Sequence, residues 1–184
     1  MLNSIDWNRA YTNGVDYKRI EPSDIDRLLK DIPSARRTTL LDVGCGTGLL
    51  TREMYHRGFN VTGIDSSSEA ILVAQRRSTR IQGCYINSSL ESYLKSDNTF
   101  DIITMHLVLA FLPESAVQGI IDAVADSGYI WVVSPTDDDA ITRGIGVDKT
   151  TLMRQFSAFV LKDSWERPNI SYFLFQKTDS QQIL

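Results

Sequence analysis

Three glycines fall within five positions of one apolar stretch, LLDVGCGTGLL at residues 40–50. Glycine adopts a positive φ easily and, having no Cβ, lets the backbone approach a ligand closely. The spacing of Gly44, Gly46 and Gly48 does not fit Gly-x-Gly-x-x-Gly, which would need its third glycine at Leu49. No Gly-Lys-Ser/Thr follows either, which excludes the Walker phosphate loop. The segment therefore has the glycine content of a nucleotide site without phosphate-binding spacing.

An acidic residue, Asp65, ends the next strand-like run after this glycine segment. In a doubly wound sheet, a carboxylate at that place meets the hydroxyls of an adenosine ribose. It can accept from both hydroxyls, and its charge strengthens those hydrogen bonds. The glycines and Asp65, without a phosphate motif, predict an adenosine ligand that carries no pyrophosphate.

The elements that must position these residues alternate between strand and helix. Short, nearly uninterrupted apolar runs, typical of strands covered on both faces, lie at 39–43, 60–64, 83–86, 100–105 and 129–134. Helical patterns lie between them, among others at 49–57 and 114–126. The last runs, 159–165 and 170–177, flank a tight turn and predict two antiparallel strands.

This order predicts an α/β fold: a doubly wound, mostly parallel seven-stranded sheet with helices on both faces and a C-terminal antiparallel β-hairpin. The 184 residues suit one domain, 1–184, with an N-terminal helical cap or lid segment at 1–36 and a Rossmann-like core at 37–184. Residues 1–20 either cover the site or form a frayed end, and the sequence leaves both interpretations open.

Composition narrows the expected partners. A net charge of -4 gives no broad attraction to nucleic acid, and no run reaches the ~18 apolar residues of a membrane span. The two cysteines, Cys45 and Cys84, have neither metal-site nor disulfide-framework spacing. We expect a cytoplasmic monomer or homodimer that has no metal and acts on a small molecule.

The sequence resembles the class I S-adenosylmethionine-dependent methyltransferases. The resemblance rests on LLDVGCGTG, VTGIDSSSEAILVA and FDIITMHLVLAFLP, and it extends over residues 38–134 in order and spacing. It implies S-adenosylmethionine as the cofactor and S-adenosylhomocysteine as its product. Methyl transfer is then an in-line displacement in which alignment supplies much of the rate acceleration.

The resemblance also implies roles by position. Asp42 would lie near the ammonium and sulfonium groups, the glycine segment against the methionine part, and Asp65 on the ribose. Asn87 stands where many members have an acidic residue that contacts the adenine amino group, and an amide oxygen can still accept there. The complete set of expected cofactor-binding residues is Asp42, Gly44, Cys45, Gly46, Gly48, Asp65, Ser66, Asn87, Ser88, Met105 and His106.

The acceptor side is less defined. His106 follows the fourth strand and is the candidate general base, because an imidazole titrates near neutral pH. The candidate substrate-contacting residues are Trp7, Tyr11, Tyr17 and Arg19. Two alternatives stay open: an NAD-dependent oxidoreductase, which Leu49 disfavours, and a non-catalytic cofactor-binding or partner-binding module of the same fold.

Overall fold

The computed structural model describes residues 6–16, 20–36, 38–95, 98–135 and 146–178. Its strands are β1 (Thr39–Val43), β2 (Asn60–Asp65), β3 (Tyr85–Asn87), β4 (Phe100–His106), β5 (Val124–Pro135), β6 (Phe159–Arg167) and β7 (Ile170–Lys177). They form one sheet in the order β3-β2-β1-β4-β5-β7-β6. Strands β1 to β5 pair in parallel, while β7 runs antiparallel to both β5 and β6. The predicted fold class is confirmed.

Helices flank this sheet. They are α1 (Trp7–Thr12), α2 (Pro22–Lys30), α3 (Leu49–His56), α4 (Ser68–Arg77), α5 (Leu90–Tyr93), α6 (Glu114–Ala123) and α7 (Lys149–Gln155). Short 3₁₀ helices occupy Ser34–Arg36, Gln82–Cys84 and Leu109–Phe111. Helix α2 begins at Pro22, whose fixed φ suits the first helical turn. An N–H at this position would have no acceptor within the helix, so proline loses no hydrogen bond there.

Each face of the sheet carries its own hydrophobic core. On one face, Leu28 of α2 and Met54 of α3 pack with Trp131 of β5. On the other face, Ile120 of α6 packs with Ile103 of β4. All five side chains are fully buried, as expected where period-two strands alternate their side chains between two covered faces.

The strand predicted at 83–86 begins later than expected. Residues Gln82–Cys84 form a 3₁₀ turn, in which the Cys84 N–H donates to the Ile81 carbonyl at 3.0 Å. The backbone therefore becomes extended only at Tyr85–Asn87. An apolar run alone did not distinguish the turn from the strand.

The helix predicted at 114–126 ends early, at Ala123. Val124 is extended and pairs with Phe100 at the start of β4, so β5 begins well before the predicted residue 129. Helical periodicity continued past the point where pairing with a neighbouring strand became more favourable.

Gly48 caps helix α3 in a left-handed conformation, with φ of +77°, beside the buried ring of Tyr85. A Cβ on Gly48 would lie 2.6 Å from the Tyr85 ring, whereas a Cβ on Gly58, at φ +90°, would meet nothing within 4 Å. Both glycines need a conformation that L side chains adopt at a cost, but only Gly48 lacks space.

We predict that Gly58→Ala lowers the free energy of unfolding by about 1–2 kcal/mol, the cost of the backbone conformation alone. Gly48→Ala should lower it by about 1–3 kcal/mol more, because the tyrosine ring must move. Urea denaturation of both variants measures the difference. Equal losses would contradict the tight contact between Gly48 and Tyr85.

Candidate functional site

A cavity of about 620 Å³ opens at the carboxyl ends of the parallel strands. The strand order reverses between β1 and β4, which is the place where open α/β sheets bind ligands. The structure brings most of the predicted site residues to its walls: Trp7, Tyr11, Asp42, Gly44, Cys45, Gly46, Asp65, Ser66, Ser88 and His106.

Three other predicted residues lie outside the lining of this cavity. Gly48 caps α3 behind the glycine segment. The side-chain amide of Asn87 donates to the Asp65 carbonyl at 3.0 Å. Met105 is fully buried in the hydrophobic core on the α6 face. Tyr17 and Arg19 lie outside the described residues.

The glycine segment comes close to helix α1. Gly46 has φ of +53°, and a Cβ there would lie 2.8 Å from the hydroxyl oxygen of Tyr11. Because the hydroxyl stands where a side chain would be, the Gly46 backbone and the Tyr11 ring share one wall of the cavity. The glycine content predicted a close approach to a ligand; the close approach that the structure has at Gly46 is to Tyr11.

Asp65 joins two turns at the end of β2. One carboxylate oxygen accepts the Gly46 N–H at 2.9 Å, and the other accepts the Ser67 N–H at 2.8 Å. Burial raises the pKa of Asp65, and these two backbone bonds oppose the shift. Since each carboxylate oxygen has a further lone pair, the group retains capacity to accept hydroxyl protons from a ligand.

Asp42 lies deeper, at 1% exposure in β1. Its carboxylate accepts from the hydroxyls of Thr51 at 2.6 Å and Thr104 at 2.9 Å. Burial raises its pKa to about 6, and the two threonine bonds only partly offset this effect. The cavity thus has an acidic group whose charge is poorly compensated, at the wall where the sequence predicted contact with a cation.

Cys45 also lines the cavity, between these two acids in sequence. Its thiol is buried, and burial raises its pKa well above the ordinary value. A thiol that stays protonated is a poor nucleophile. Cys45 therefore contributes packing rather than nucleophilic chemistry.

His106 ends strand β4 at the cavity wall. Burial lowers its pKa to about 4, and the charge of Asp24 opposes this shift. The imidazole is therefore neutral at pH 7 and can accept a proton. The next residue, Leu107, has φ of +60°, a conformation that costs a non-glycine residue about 1–3 kcal/mol and is most often found at functional sites.

Helix α1 and the residues after it are fastened across the cavity. The Asn8 side-chain oxygen accepts from the Ser67 hydroxyl at 2.8 Å. Asp16 accepts from the Thr47 hydroxyl at 3.0 Å and forms an ion pair with Arg77 at 2.8 Å. Residues 6–16 are thereby tied to the glycine segment and to helix α4.

Sequence reasoning missed several lining residues. Leu107, Val108, Phe111, Leu112 and Pro113 follow β4, and their place after a strand of the expected sheet was a usable signal. Asp16, Ile20 and Pro135 also line the cavity, and no local pattern indicated them.

Within the described residues, no group of three or more His, Cys, Asp or Glu side chains could hold a metal ion. In the same part of the chain, no helix has the length and hydrophobicity of a membrane span.

Comparison with known proteins adds a family match. Residues 40–128 match the family model described as a methyltransferase domain. The chain is 34% identical over 102 residues to the ubiquinone biosynthesis O-methyltransferase of Glaesserella parasuis serovar 5. This alignment covers 50% of this chain and 43% of that relative. The chain is 30% identical over 130 residues to the protein of the same name from Hydrogenovibrio crunogenus, covering 68% of this chain and 53% of that relative. The chain spans about half the length of these curated relatives.

Solved structures share the fold. TehB from Haemophilus influenzae aligns over 94% of this chain and 67% of its own, with a TM-score of 0.70 and 15% identity. The N-methyltransferase NodS from Bradyrhizobium japonicum, in complex with S-adenosylhomocysteine, aligns over 94% of this chain and 99% of its own, with a TM-score of 0.69 and 16% identity. At identities this low, the TM-scores establish a shared fold and nothing more.

The raised pKa of Asp42 generates a stability prediction. The folded protein binds this proton more tightly than the unfolded chain, so ionisation of Asp42 above about pH 6 costs stability. We expect Asp42→Asn to raise the free energy of unfolding at pH 7.5 by about 1–3 kcal/mol. The gain should shrink as the pH falls through 6 and nearly vanish at pH 4.

Urea denaturation at pH 7.5 and pH 4 measures this difference. Asp148→Asn is the control, because a hydrogen bond from the Thr151 N–H lowers the pKa of that exposed carboxyl. It should show no gain at pH 7.5. A destabilised Asp42→Asn at that pH would mean that the two threonine bonds outweigh the burial of the charge.

Proposed function

We propose that this chain, which belongs to the class I S-adenosylmethionine-dependent methyltransferases, transfers a methyl group from S-adenosylmethionine to a small-molecule acceptor. The observation that carries the proposal is the cavity at the β1/β4 switch point, with the glycine segment, Asp42 and Asp65 on its walls. The product of the transfer would be S-adenosylhomocysteine.

The residues present fit the cofactor. Asp65 has lone pairs for the two ribose hydroxyls, and Ser66 and Ser88 line the same end of the cavity. The buried charge of Asp42 would attract the ammonium and sulfonium groups, and such a cation would in turn lower the pKa of that carboxyl. Bound S-adenosylmethionine supplies an activated methyl group on sulfur, and its leaving group is a neutral thioether.

The acceptor is proposed to present a hydroxyl group. The matched relatives are named O-methyltransferases, and His106 is a neutral imidazole at the cavity wall. As the acceptor oxygen bonds to the methyl carbon and the carbon–sulfur bond breaks, His106 would take the hydroxyl proton. The walls around it, Ile20, Leu107 and Pro135, are apolar and suit an organic acceptor rather than water.

Residues 6–16 are proposed to act as the cap over this cavity, since Trp7 and Tyr11 line it and Asn8 and Asp16 fasten them. Phe111, in the 3₁₀ helix after β4, packs edge to face against Trp7, with ring centroids 5.1 Å apart. The cytoplasmic location, the absence of a nucleic-acid partner and the monomeric or homodimeric state stay predictions.

Calorimetric titration tests the cofactor. We expect S-adenosylmethionine and S-adenosylhomocysteine to bind and NAD to show no heat of binding. Asp65→Ala should weaken S-adenosylhomocysteine by about 2 kcal/mol or more, because charge-assisted bonds to the ribose are lost. Asp148→Ala removes an acid that also accepts a backbone N–H, but away from this cavity, and should bind normally. Binding of NAD alone would favour the oxidoreductase.

Transfer of a radiolabelled methyl group to a panel of phenols and catechols tests the base. His106→Ala should lower turnover by about 100-fold or more, while the affinity for S-adenosylhomocysteine stays within two-fold. His56→Ala, on the exposed surface of α3, is the control and should match the parent. Unchanged turnover in His106→Ala would exclude the proton-accepting role, and cofactor binding without transfer to any acceptor would favour the non-catalytic module.

A further inference from the structure

Helix α2 carries a buried carboxylate that the cavity itself does not use. We propose that Asp24 is a positioning residue for the acceptor end of the site: it fixes α2, and with it Ile20, against the sheet, and its negative charge stabilises the positive charge that His106 gains with the acceptor proton. This inference rests on the proposed function, but its test does not require a known acceptor.

The Asp24 side chain is 1% exposed, and its carboxylate accepts three hydrogen bonds. One oxygen accepts from the Arg167 guanidinium at 2.7 Å and from the Trp165 indole N–H at 3.3 Å. The other accepts from the Tyr172 hydroxyl at 3.1 Å. All three donors belong to the β6–β7 hairpin, so one carboxylate anchors α2 to the far edge of the sheet.

Asp24 is close in sequence to Ile20, which lines the proposed acceptor end of the cavity. Ile20 lies two residues before Pro22, the first residue of α2, and its side chain both lines the cavity and packs in the core with Leu28. A helix held at Asp24 therefore holds Ile20 in place. Without the anchor, this wall of the cavity would be free to shift with the N-terminal end of α2.

Two of the hairpin donors, Trp165 and Tyr172, occupy one register row across the sheet with His106. Trp165 pairs with Tyr172, Tyr172 with Val133, and Val133 with His106. Side chains in such a row project from the same face, and Tyr172 and His106 are two strands, or about 10 Å, apart. Asp24 lies over that row, on the same face as His106.

Several ionisable groups surround His106 on the described elements. They are Asp24 on α2, Asp42 on β1, Arg167 on β6 and Tyr172 on β7, with Tyr11 and Asp16 across the cavity. Of these, Asp24 is the group whose charge raises the pKa of His106 against the effect of burial. Asp24 is bonded to Tyr172, two strands from His106, and its charge still acts on an imidazolium because charges in a protein interior are screened less than in water.

The chemical consequence concerns the proton step. When the acceptor hydroxyl gives its proton to His106, the imidazole becomes a cation in a partly buried place that disfavours charge. Asp24 offsets part of that cost without touching the acceptor. Arg167, which forms an ion pair with Asp24, limits the effect.

The coupling is tested by two substitutions that should shift the His106 titration midpoint in opposite directions. In the full chain with ¹³C-labelled histidine, NMR titration follows His106, with His56 as the internal control and the amide spectrum as the check on folding. Asp24→Asn should lower the His106 midpoint, about 4 in the parent, by about 0.5–1 pH unit. Arg167→Gln, which leaves Asp24 unopposed, should raise it by a similar amount.

Asp163→Asn is the matched control, because it removes another α2–hairpin contact, the ion pair between Arg27 and Asp163. It should leave the His106 midpoint unchanged. If these substitutions acted only by loosening α2, the His106 midpoint would shift in the same direction in all three variants. Shifts of the same sign in Asp24→Asn and Arg167→Gln would therefore overturn the inference. If Asp24→Asn fails to fold, an unchanged midpoint in Arg167→Gln overturns it as well.

Once an acceptor is found, Asp24→Asn should lower kcat about three-fold to ten-fold and leave the affinity for S-adenosylhomocysteine within two-fold. Asp163→Asn, which leaves the Asp24 anchor intact, should keep kcat at the parent level. Failure of the parent to bind S-adenosylhomocysteine would overturn the proposed function, while the two titration shifts would still decide the coupling between Asp24 and His106.

Discussion

The carboxylate of Asp65 is the contact on which the shape of the site depends. It accepts one backbone N–H from the glycine segment and one from the turn before α4, so two loops from different βα units are fixed to one side chain. Such bonds to a charged acceptor are about twice as strong as neutral ones. The Ser67 hydroxyl, beside this contact, then caps α4 and holds Asn8 of the N-terminal helix. The strand end, the glycine turn and the covering helix share this anchor.

Much of this could be predicted from the sequence, because the relevant signals are local. Apolar runs and turn residues indicated most of the strands, and the position of Asp65 at the end of β2 brought it to the glycine segment. The errors also have a local cause: at 83–86 and 114–126, turn formation and strand pairing overrode an otherwise good pattern. Propensity is a weak prior wherever a neighbouring strand competes for the backbone.

The contacts that complete the site are long-range, and the sequence did not indicate them. Asp16 reaches Thr47 and Arg77, and Asp24 reaches a hairpin that lies more than 140 residues further along the chain. Nothing in the composition of residues 6–24 distinguishes these acids from solvated ones. Their roles follow from the docking of helices onto a closed sheet, which a pattern of periodicities does not encode.

The energetic cost of the site bears on what the site is for. Three unusual residues lie at the carboxyl ends of β1 and β4. Asp42 is a buried carboxylate with a pKa of about 6, the pKa of the His106 imidazole is lowered to about 4, and Leu107 has φ of +60°. The ionised carboxylate and the strained leucine destabilise the folded protein at neutral pH, and an apolar residue at position 42 or a glycine at position 107 would relieve that cost. A chain that needed only the fold has no physical use for a buried acid and a neutral base on the walls of one cavity. A cationic ligand would give the Asp42 charge a partner, and an acceptor hydroxyl would give His106 a proton to accept, which favours an enzyme over a non-catalytic module.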